Sequence, residues 1–199
     1  VLEAYYPGQE GAHAIARVIF GDVNPSGKLP ETFPKRLEDN PSYGFFPGQK
    51  RSVSYGEGIY VGYRHYDTRG IEPLFPFGHG LSYTQFEYSN LRVQQNKDAD
   101  VRVTLDVKNA GKVAGAETVQ LYVKDIETSV DRPAKELKGF VKLELQPGQT
   151  KQAELLLNRD AFAFFSPTRK MWVVEPGQFE LLIAASSRDI RLTKKIVVE

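Results

Sequence analysis

The feature that most constrains the fold is an alternation of apolar and polar residues, which begins near Phe86 and runs to the end of the chain. Alternation with a period of two places one face of a strand against a core and the other against water. Turn signals such as Gln146-Pro147-Gly148 and Glu175-Pro176-Gly177 separate the runs. We count roughly six to eight short strands in about 110 residues, which is typical of an antiparallel β-sandwich. The clearest apolar positions are Val101, Val103, Leu105, Val107, Val119, Leu121, Val123, Val141, Leu143, Leu145, Ala153, Leu155, Leu157, Phe179, Leu181 and Ile183.

Composition excludes several classes of function. The 199 residues carry 26 basic and 25 acidic side chains, a net charge of +1, so no basic surface for nucleic acid or an anionic membrane is expected. Cysteine is absent, which excludes disulfides and thiolate metal sites. His13, His65 and His79 do not have metal-ligand spacing. We therefore expect no metal, no other cofactor and no membrane span.

The amino-terminal region has a helical rather than an alternating pattern of apolar residues. Within "YYPGQEGAHAIARVIFGDVNPSGKLP", the apolar positions Ala12, Ile15, Ala16 and Ile19 form the stripe of an amphipathic helix. A glycine-rich loop precedes the helix, and Gly21 suits the left-handed position after it. Residues 1–2 would end a strand, which gives half of a βαβ unit. The helix cannot bury its stripe alone, so we expect its partner in a preceding segment of a longer polypeptide.

Residues 31–85 lack clean periodicity. Five prolines and frequent glycines interrupt them, yet many aromatic residues occur here. A flexible linker would be polar, so this segment is predicted to pack along another surface. The stretch "YVGYRHYD" alternates enough to predict a short strand from Tyr60 to Asp67. We also expect Glu57 to form a salt bridge with a neighbour such as Arg64.

Four long motifs resemble glycoside hydrolase family 3, the β-glucosidase group. They are "YYPGQEGAHAIARVIFGDVNPSGKLPETFP", "YGEGIYVGYRHYD", "PLFPFGHGLSYTQFEYS" and "DRPAKELKGFVKLELQPGQT". They occur in the family's order and span nearly the whole chain. In addition, "EDNPSYGFFPG" followed by "SVSYGEGIYVGYR" resembles members that carry a PA14 insert.

The resemblance implies a mainly β chain in three parts. Residues 1–35 would be the C-terminal piece of an α/β sandwich domain, and residues 36–85 an inter-domain connector. Residues 86–199 would form an immunoglobulin/fibronectin type III-like β-sandwich. In the family, a (β/α)₈ barrel and most of the α/β sandwich come first, so these upstream domains are the expected partners.

The same resemblance implies a retaining β-glucosidase that hydrolyses terminal non-reducing β-D-glucosyl residues of oligosaccharides or aryl glycosides. Such enzymes need two carboxyl groups about 5 Å apart. In family 3 the nucleophile is an Asp in the barrel, in a context absent here, and the acid/base Glu also lies upstream. We therefore expect no catalytic residue in this chain. A β-xylosidase or another β-glycosidase of the family is the nearest alternative.

Gln9 and Glu10 are the candidate substrate-binding residues. They lie in the loop before the helix, at a strand's carboxyl end, where open α/β sheets bind ligands. A carboxylate in the first helical turn is stabilised in its charged form by the helix dipole, whereas a general acid must hold its proton. We therefore expect Glu10 to offset the dipole and to hydrogen-bond the loop, rather than to act as the acid.

The second hypothesis is a non-catalytic carbohydrate-binding or spacer module. Sandwich folds host many such roles. This role would require a surface strip of aromatic side chains, and the candidates are Tyr122, Phe162, Phe164 and Phe165. The charged residues Asp131, Arg132, Lys135 and Glu136 are interpreted as solvated or paired surface.

Overall fold

The computed structural model describes residues 1–96 and 100–199, and its carboxyl-terminal part is a sandwich of two antiparallel sheets. The strands are β1 Phe86–Gln95, β2 Val101–Asn109, β3 Gly115–Asp125, β4 Glu136–Leu145, β5 Thr150–Leu157, β6 Phe164–Ser166, β7 Met171–Val173, β8 Gly177–Ala184 and β9 Ile190–Val198. One sheet has the strand order β1-β2-β5, and the other has the order β4-β3-β8-β9. A separate two-stranded hairpin, β6-β7, precedes β8.

The predicted alternation builds the core between the two sheets. Val103 and Leu105 on β2 are fully buried, and so are Val119 and Leu121 on β3. Apolar residues of β5 and β8 complete the cluster, together with Phe162 from the turn before β6. Phe162 packs edge to face on Phe179, with ring centroids 5.1 Å apart. The mainly β, antiparallel sandwich predicted from the sequence is confirmed.

Two central strands depart from simple alternation, because both of their faces are covered. Gln120 and Tyr122, at expected outward positions of β3, are 3% and 0% exposed. Tyr122 forms a second apolar cluster with Leu182 and Ala184 of β8. Tyr63 and Phe77, from the segment before the sandwich, pack on this cluster, and Tyr63 stacks on Phe77 at 4.8 Å. The irregular segment therefore covers the outer face of the four-stranded sheet.

The helix α2 spans Tyr63–Arg69, where the alternation in "YVGYRHYD" predicted a strand, and that prediction is wrong. Gly62, with φ of 57°, precedes the helix, and Gly70, with φ of 66°, ends it in the left-handed conformation. Tyr63 and Tyr66 lie three residues apart on the side turned towards the sandwich, and Tyr66 is 2% exposed. The three-residue spacing of Tyr63 and Tyr66 was therefore the informative pattern in the sequence, because residues three apart share one face of a helix, whereas residues two apart share one face of a strand.

The helix α1 spans Gly11–Ile19, as the apolar stripe predicted. Residues 1–2 form no strand, since strand structure requires a neighbouring strand to pair with, and none of the described residues pairs with them. A short 3-10 turn spans Leu37–Asp39 and another spans Arg159–Phe162. Within the described ranges, no helix has the length and apolar character needed to cross a membrane.

Polar contacts, rather than the apolar stripe, tie α1 to the sandwich. Asn24, in the turn after α1, donates from Nδ2 to the Ala114 carbonyl at 2.9 Å. Its Oδ1 accepts hydrogen bonds from the Ser82 hydroxyl at 3.0 Å and from the Tyr83 N–H at 2.8 Å. The Tyr83 hydroxyl in turn donates to the Val18 carbonyl at 2.8 Å, near the carboxyl end of α1. The turn after α1 is therefore anchored while the helix itself lies at the surface.

Candidate functional site

The loop before α1 has a shape that requires glycine at two positions. Gly8 has φ of 74°, in the left-handed region that favours glycine. The Pro7 ring lies on Gly11, the one buried residue of α1, so that a Cβ at Gly11 would stand 2.4 Å from Pro7 Cγ. The Gly11 N–H also donates to the Gly8 carbonyl at 3.3 Å. These contacts close the loop into a tight turn and place residues 9 and 10 at its tip.

The two candidate substrate-binding residues lie next to each other at this tip, and both are exposed. Glu10 is the N-cap residue of α1, and its carbonyl accepts a hydrogen bond from the Ala14 N–H at 3.0 Å. Its carboxylate makes no capping hydrogen bond, and no residue in the ranges 1–96 and 100–199 supplies the expected hydrogen bond between this side chain and the loop. Both side chains are therefore accessible to a ligand.

The apolar face of α1 is largely uncovered. Ala12 and Ile19 are exposed, Ile15 and Ala16 are half-buried, and the following Phe20 is 83% exposed. Scattered exposed apolar residues are normal, whereas an apolar stripe along one helix face is suited to packing against another surface. This face lies next to the loop that carries Gln9 and Glu10.

A further exposed aromatic surface lies on residues 36–85, the segment before β1, hereafter the connector. Tyr43, Phe46 and Tyr55 are 50%, 72% and 84% exposed. The loop that carries them also makes internal contacts, because the Phe45 ring packs on Gly56, where a Cβ would stand 2.1 Å from the ring. A group of exposed aromatic rings is suited to contact another surface.

The histidines have structural surroundings. The His79 ring stacks on Phe75 with centroids 5.7 Å apart, and burial, followed by the charge of Lys28, lowers its pKa. Burial, followed by the charge of Arg69, lowers the pKa of His65. His13 is exposed on α1. Among the described residues, no group of three or more His, Cys, Asp or Glu side chains is arranged to hold a metal ion.

Three of the four charged residues of the cluster at 131–136, namely Arg132, Lys135 and Glu136, are ion-paired, as expected, but they are largely buried rather than solvated, whereas Asp131 is exposed. The Arg132 guanidinium lies 2.9 Å from Asp125 and 3.3 Å from Glu136, and its side chain is 7% exposed. Arg64 of α2 also pairs with Glu136, at 3.2 Å. Among the described residues Glu57 forms no salt bridge, so the expected pair with a neighbour such as Arg64 is wrong, and Arg64 pairs with Glu136 instead.

A second ion-pair group fastens α2 to the sandwich. The Asp67 carboxylate, only 3% exposed, lies 2.6 Å from Lys135 Nζ and 2.5 Å from Arg188 Nε. Arg188 also donates from Nη2 to the carbonyls of Tyr66 and Ile71, both at 3.0 Å. One arginine from the β8–β9 turn thus satisfies both a buried carboxylate and the carbonyls at the carboxyl end of α2.

The four aromatic residues proposed for a binding module differ in their exposure to solvent. Tyr122 and Phe162 are fully buried, because Tyr122 faces the connector and Phe162 fills the core. Phe164 is half-buried beneath Arg132, whose guanidinium carbon lies 5.5 Å from the ring centroid. Phe165 is 50% exposed and is paired with Trp172, which the sequence reasoning missed. Trp172 is the chain's single tryptophan, and this rarity was the one feature of the sequence that could have marked it as a candidate binding residue.

Sequence reasoning also missed three polar residues that organise the structure, namely Asn24, Gln120 and Arg188. Gln120 occupied a polar position of an alternating strand, and nothing in that pattern marks it as buried. Its Nε2 donates to the carbonyls of Gly78 at 3.2 Å and Ala185 at 2.9 Å, and its Oε1 accepts from the Tyr122 hydroxyl at 2.6 Å. Burial raises the pKa of Tyr122, so this hydroxyl remains a donor.

Comparison with known proteins identifies two regions of the chain. A model of the glycosyl hydrolase family 3 C-terminal domain matches residues 1–83, and a model of the fibronectin type III-like domain matches residues 117–187. Thermostable beta-glucosidase B of Acetivibrio thermocellus is 56% identical over 201 residues, which cover 100% of this chain and 27% of that protein. Probable beta-glucosidase I of Aspergillus oryzae is 46% identical over 199 residues, covering 96% of this chain and 24% of that protein.

Solved structures agree with these sequence matches. The Bifidobacterium adolescentis GH3 beta-glucosidase superposes with a TM-score of 0.96 at 41% identity, covering 98% of this chain and 29% of that one. Beta-glucosidase 3B from Thermotoga neapolitana, solved in complex with alpha-D-glucose, gives a TM-score of 0.90 at 44% identity, with coverage of 96% and 27%. The chain thus spans about a quarter of the length of the relatives it matches. By sequence and by fold, the chain belongs to glycoside hydrolase family 3 and matches the C-terminal region of that family's proteins.

Proposed function

We propose that these residues serve as the C-terminal part of a retaining β-glucosidase, which removes terminal non-reducing β-D-glucosyl residues from oligosaccharides or aryl glycosides. The observation that carries the proposal is 56% identity across the whole chain to a protein named a thermostable beta-glucosidase. In a retaining mechanism, one carboxylate attacks the anomeric carbon while a second carboxyl group protonates the leaving oxygen. Water then hydrolyses the glycosyl-enzyme.

Both catalytic carboxylates are proposed to lie in upstream domains, a barrel and the remainder of an α/β sandwich. Support comes from the uncovered face of α1, where Ile19 is 62% exposed, and from the exposed aromatic rings of the connector. Burying such surfaces against a neighbouring domain removes apolar area from water. The sandwich would hold the connector from the other side, through the buried Asp67–Arg188 and Asp67–Lys135 pairs.

We further propose the division into residues 1–35, 36–85 and 86–199 as end of the α/β sandwich domain, connector and fibronectin type III-like domain. The start of β1 at Phe86 supports the second boundary. Membership of the PA14-containing subgroup stays a prediction. The polypeptide upstream of Val1 would decide it.

Gln9 and Glu10 are proposed to line the edge of the substrate cleft. Their exposed side chains, held at the tip of a tight turn, support this role. Both can hydrogen-bond sugar hydroxyls, the amide as donor and acceptor and the carboxylate as acceptor.

The test uses the complete polypeptide with an aryl β-glucoside and an aryl β-xyloside. We expect turnover of the glucoside with retention of anomeric configuration. Faster turnover of the xyloside would make the protein a β-xylosidase, and the absence of turnover on both would reject the glycosidase. In the same assay, Gln9→Ala and Glu10→Gln should raise KM with kcat little changed, because uniform binding contacts affect KM alone.

A further inference from the structure

The β6–β7 hairpin carries two aromatic rings that belong to neither of the two apolar clusters of the sandwich. Phe165 and Trp172 lie directly opposite each other on the two strands. They are 50% and 67% exposed, and their ring centroids lie 5.9 Å apart with the ring planes at 75°. Side chains alternate along a strand, so this pair occupies one face of the hairpin, and Phe164 and Val173 occupy the other. The two rings meet nearly at a right angle and form a corner open to solvent.

The corner is held in place before any ligand arrives. On the opposite face, Arg132 lies over the Phe164 ring at 5.5 Å and is itself fixed by Asp125 at 2.9 Å. The turn is closed by a hydrogen bond from the Lys170 N–H to the Ser166 carbonyl at 2.7 Å. A rigid aromatic pair loses little conformational entropy on binding.

Hydrogen-bond donors flank the rings. Arg169 and Lys170 at the turn are both exposed, and neither forms an ion pair with any residue in the ranges 1–96 and 100–199. The Arg169 N–H donates to the Ser166 hydroxyl at 3.2 Å, which keeps this residue beside the corner. Guanidinium and ammonium groups donate hydrogen bonds and accept none, so a ligand rich in acceptor oxygens suits them.

The size of the corner favours a sugar over a polypeptide. Two aromatic side chains of 150–250 Å² each, exposed by half to two thirds, offer roughly 250 Å². A stable protein interface needs about 800 Å² on each partner. A pyranose ring, in contrast, is close in area to one aromatic ring. In a β-linked glucosyl residue the hydroxyls are equatorial, so both faces of the ring expose C–H groups that can rest on an aromatic face.

We propose that the β6–β7 hairpin is a saccharide-binding site, in which Trp172 and Phe165 stack on the pyranose rings of a β-linked glucan chain and Arg169 and Lys170 donate to its hydroxyls. The choice of a glucan rests on the proposed function. The site contacts chain units beyond the one being hydrolysed, so it improves the capture of long substrates and is indifferent to short ones.

The experiment compares two substrates on the complete polypeptide, a short aryl β-glucoside and a long soluble β-glucan. Trp172→Ala should raise KM for the long glucan about tenfold, the equivalent of one lost aromatic contact, and should leave KM for the aryl glucoside unchanged. Trp172→Phe keeps an aromatic face and should retain most of the wild-type affinity. Phe140→Ala is the matched control, because Phe140 is 69% exposed on β4 and lies outside the hairpin.

Two outcomes overturn the proposal. Equal kinetic changes on both substrates would show that Trp172 packs on another part of the polypeptide. Unchanged kinetics on both would show that the corner binds no chain. If the wild-type protein hydrolyses neither substrate, the proposed function fails separately. Calorimetric titration with the soluble β-glucan then decides the inference: wild-type binding that is lost in Trp172→Ala supports it, and absence of wild-type binding overturns it.

Discussion

Gly78 shows how a single residue sets the contact between connector and sandwich. It has φ of 77°, and a Cβ at this position would stand 2.3 Å from Gln120 Oε1 and 2.6 Å from Nε2. Movement of Gln120 would be costly, because its amide is buried, both of its N–H groups donate and its oxygen accepts a hydrogen bond from Tyr122. Only glycine allows the backbone carbonyl of residue 78 to accept from this amide.

Gly78→Ala is therefore predicted to cost about 3 kcal/mol or more of unfolding free energy, through backbone strain and the disrupted amide network. Gly148→Ala is the matched control, since Gly148 has φ of 74° and no atom lies within 4 Å of the position that its Cβ would occupy. It should cost only about 1 kcal/mol, from backbone conformation alone. Urea unfolding of both variants measures the difference, and equal losses would contradict the clash.

At the scale of elements, α2 and the four-stranded sheet are joined by charge as well as by apolar packing. The Asp67 carboxylate, 3% exposed, forms ion pairs with both Lys135 and Arg188. Removing one partner of a buried pair leaves an uncompensated charge, which is more costly than loss of an exposed pair. The helix therefore depends on the sandwich for its position.

We predict that Asp67→Asn lowers the free energy of unfolding by about 3 kcal/mol, because Lys135, 12% exposed, loses its counter-charge and Arg188 keeps only the more distant Glu72 at 3.8 Å. Glu154→Gln removes the partner of Arg102 from a pair whose side chains are 39% and 53% exposed, and should cost less than about 1 kcal/mol. Thermal unfolding of both variants tests this difference. A cost for Asp67→Asn no larger than that for Glu154→Gln would show that the group does not clamp α2.

At the scale of the whole molecule, the four-stranded sheet has two apolar faces. The inner face packs on the three-stranded sheet. The outer face, around Tyr122 and Leu182, is covered by Tyr63 and Phe77 of the connector. Residues 86–199 contain all seven strands of the two sheets, so we expect them to fold alone. Without the connector, however, they expose Tyr122 and lose both the Gly78–Gln120 hydrogen bond and the Asp67 ion pairs.

The isolated fragment 86–199 should therefore unfold at a temperature at least 10 °C below that of residues 36–199, which corresponds to about 2 kcal/mol for a domain of this size. Calorimetry of the two fragments makes the comparison. Equal midpoints would mean that the connector contributes nothing to the stability of the sandwich.

Sequence reasoning was most accurate where a pattern maps directly onto local geometry. The stripe around Ile15 predicted α1, and the alternation of Val101 to Val107 predicted β2. It failed at Tyr60 to Asp67, where an apparent alternation lies in the helix α2. The exposure of Gln9 and Glu10 agrees with their position in a loop, but their contact with substrate remains a prediction.

From the sequence alone, one can determine the strands of the sandwich, the amphipathic helix and the resemblance to family 3, since each rests on residues close together in the chain. The tertiary structure decided which polar residues are buried and what meets them. From the sequence, Gln120 is expected to face solvent, but in the structure the backbone of Gly78 covers it. Likewise, nothing in the sequence distinguishes Arg188 from the other arginines, but in the structure it pairs with Asp67, which lies much earlier in the chain. Burial and ion pairing depend on distances in space, and local periodicity carries no information about partners so far apart in the chain.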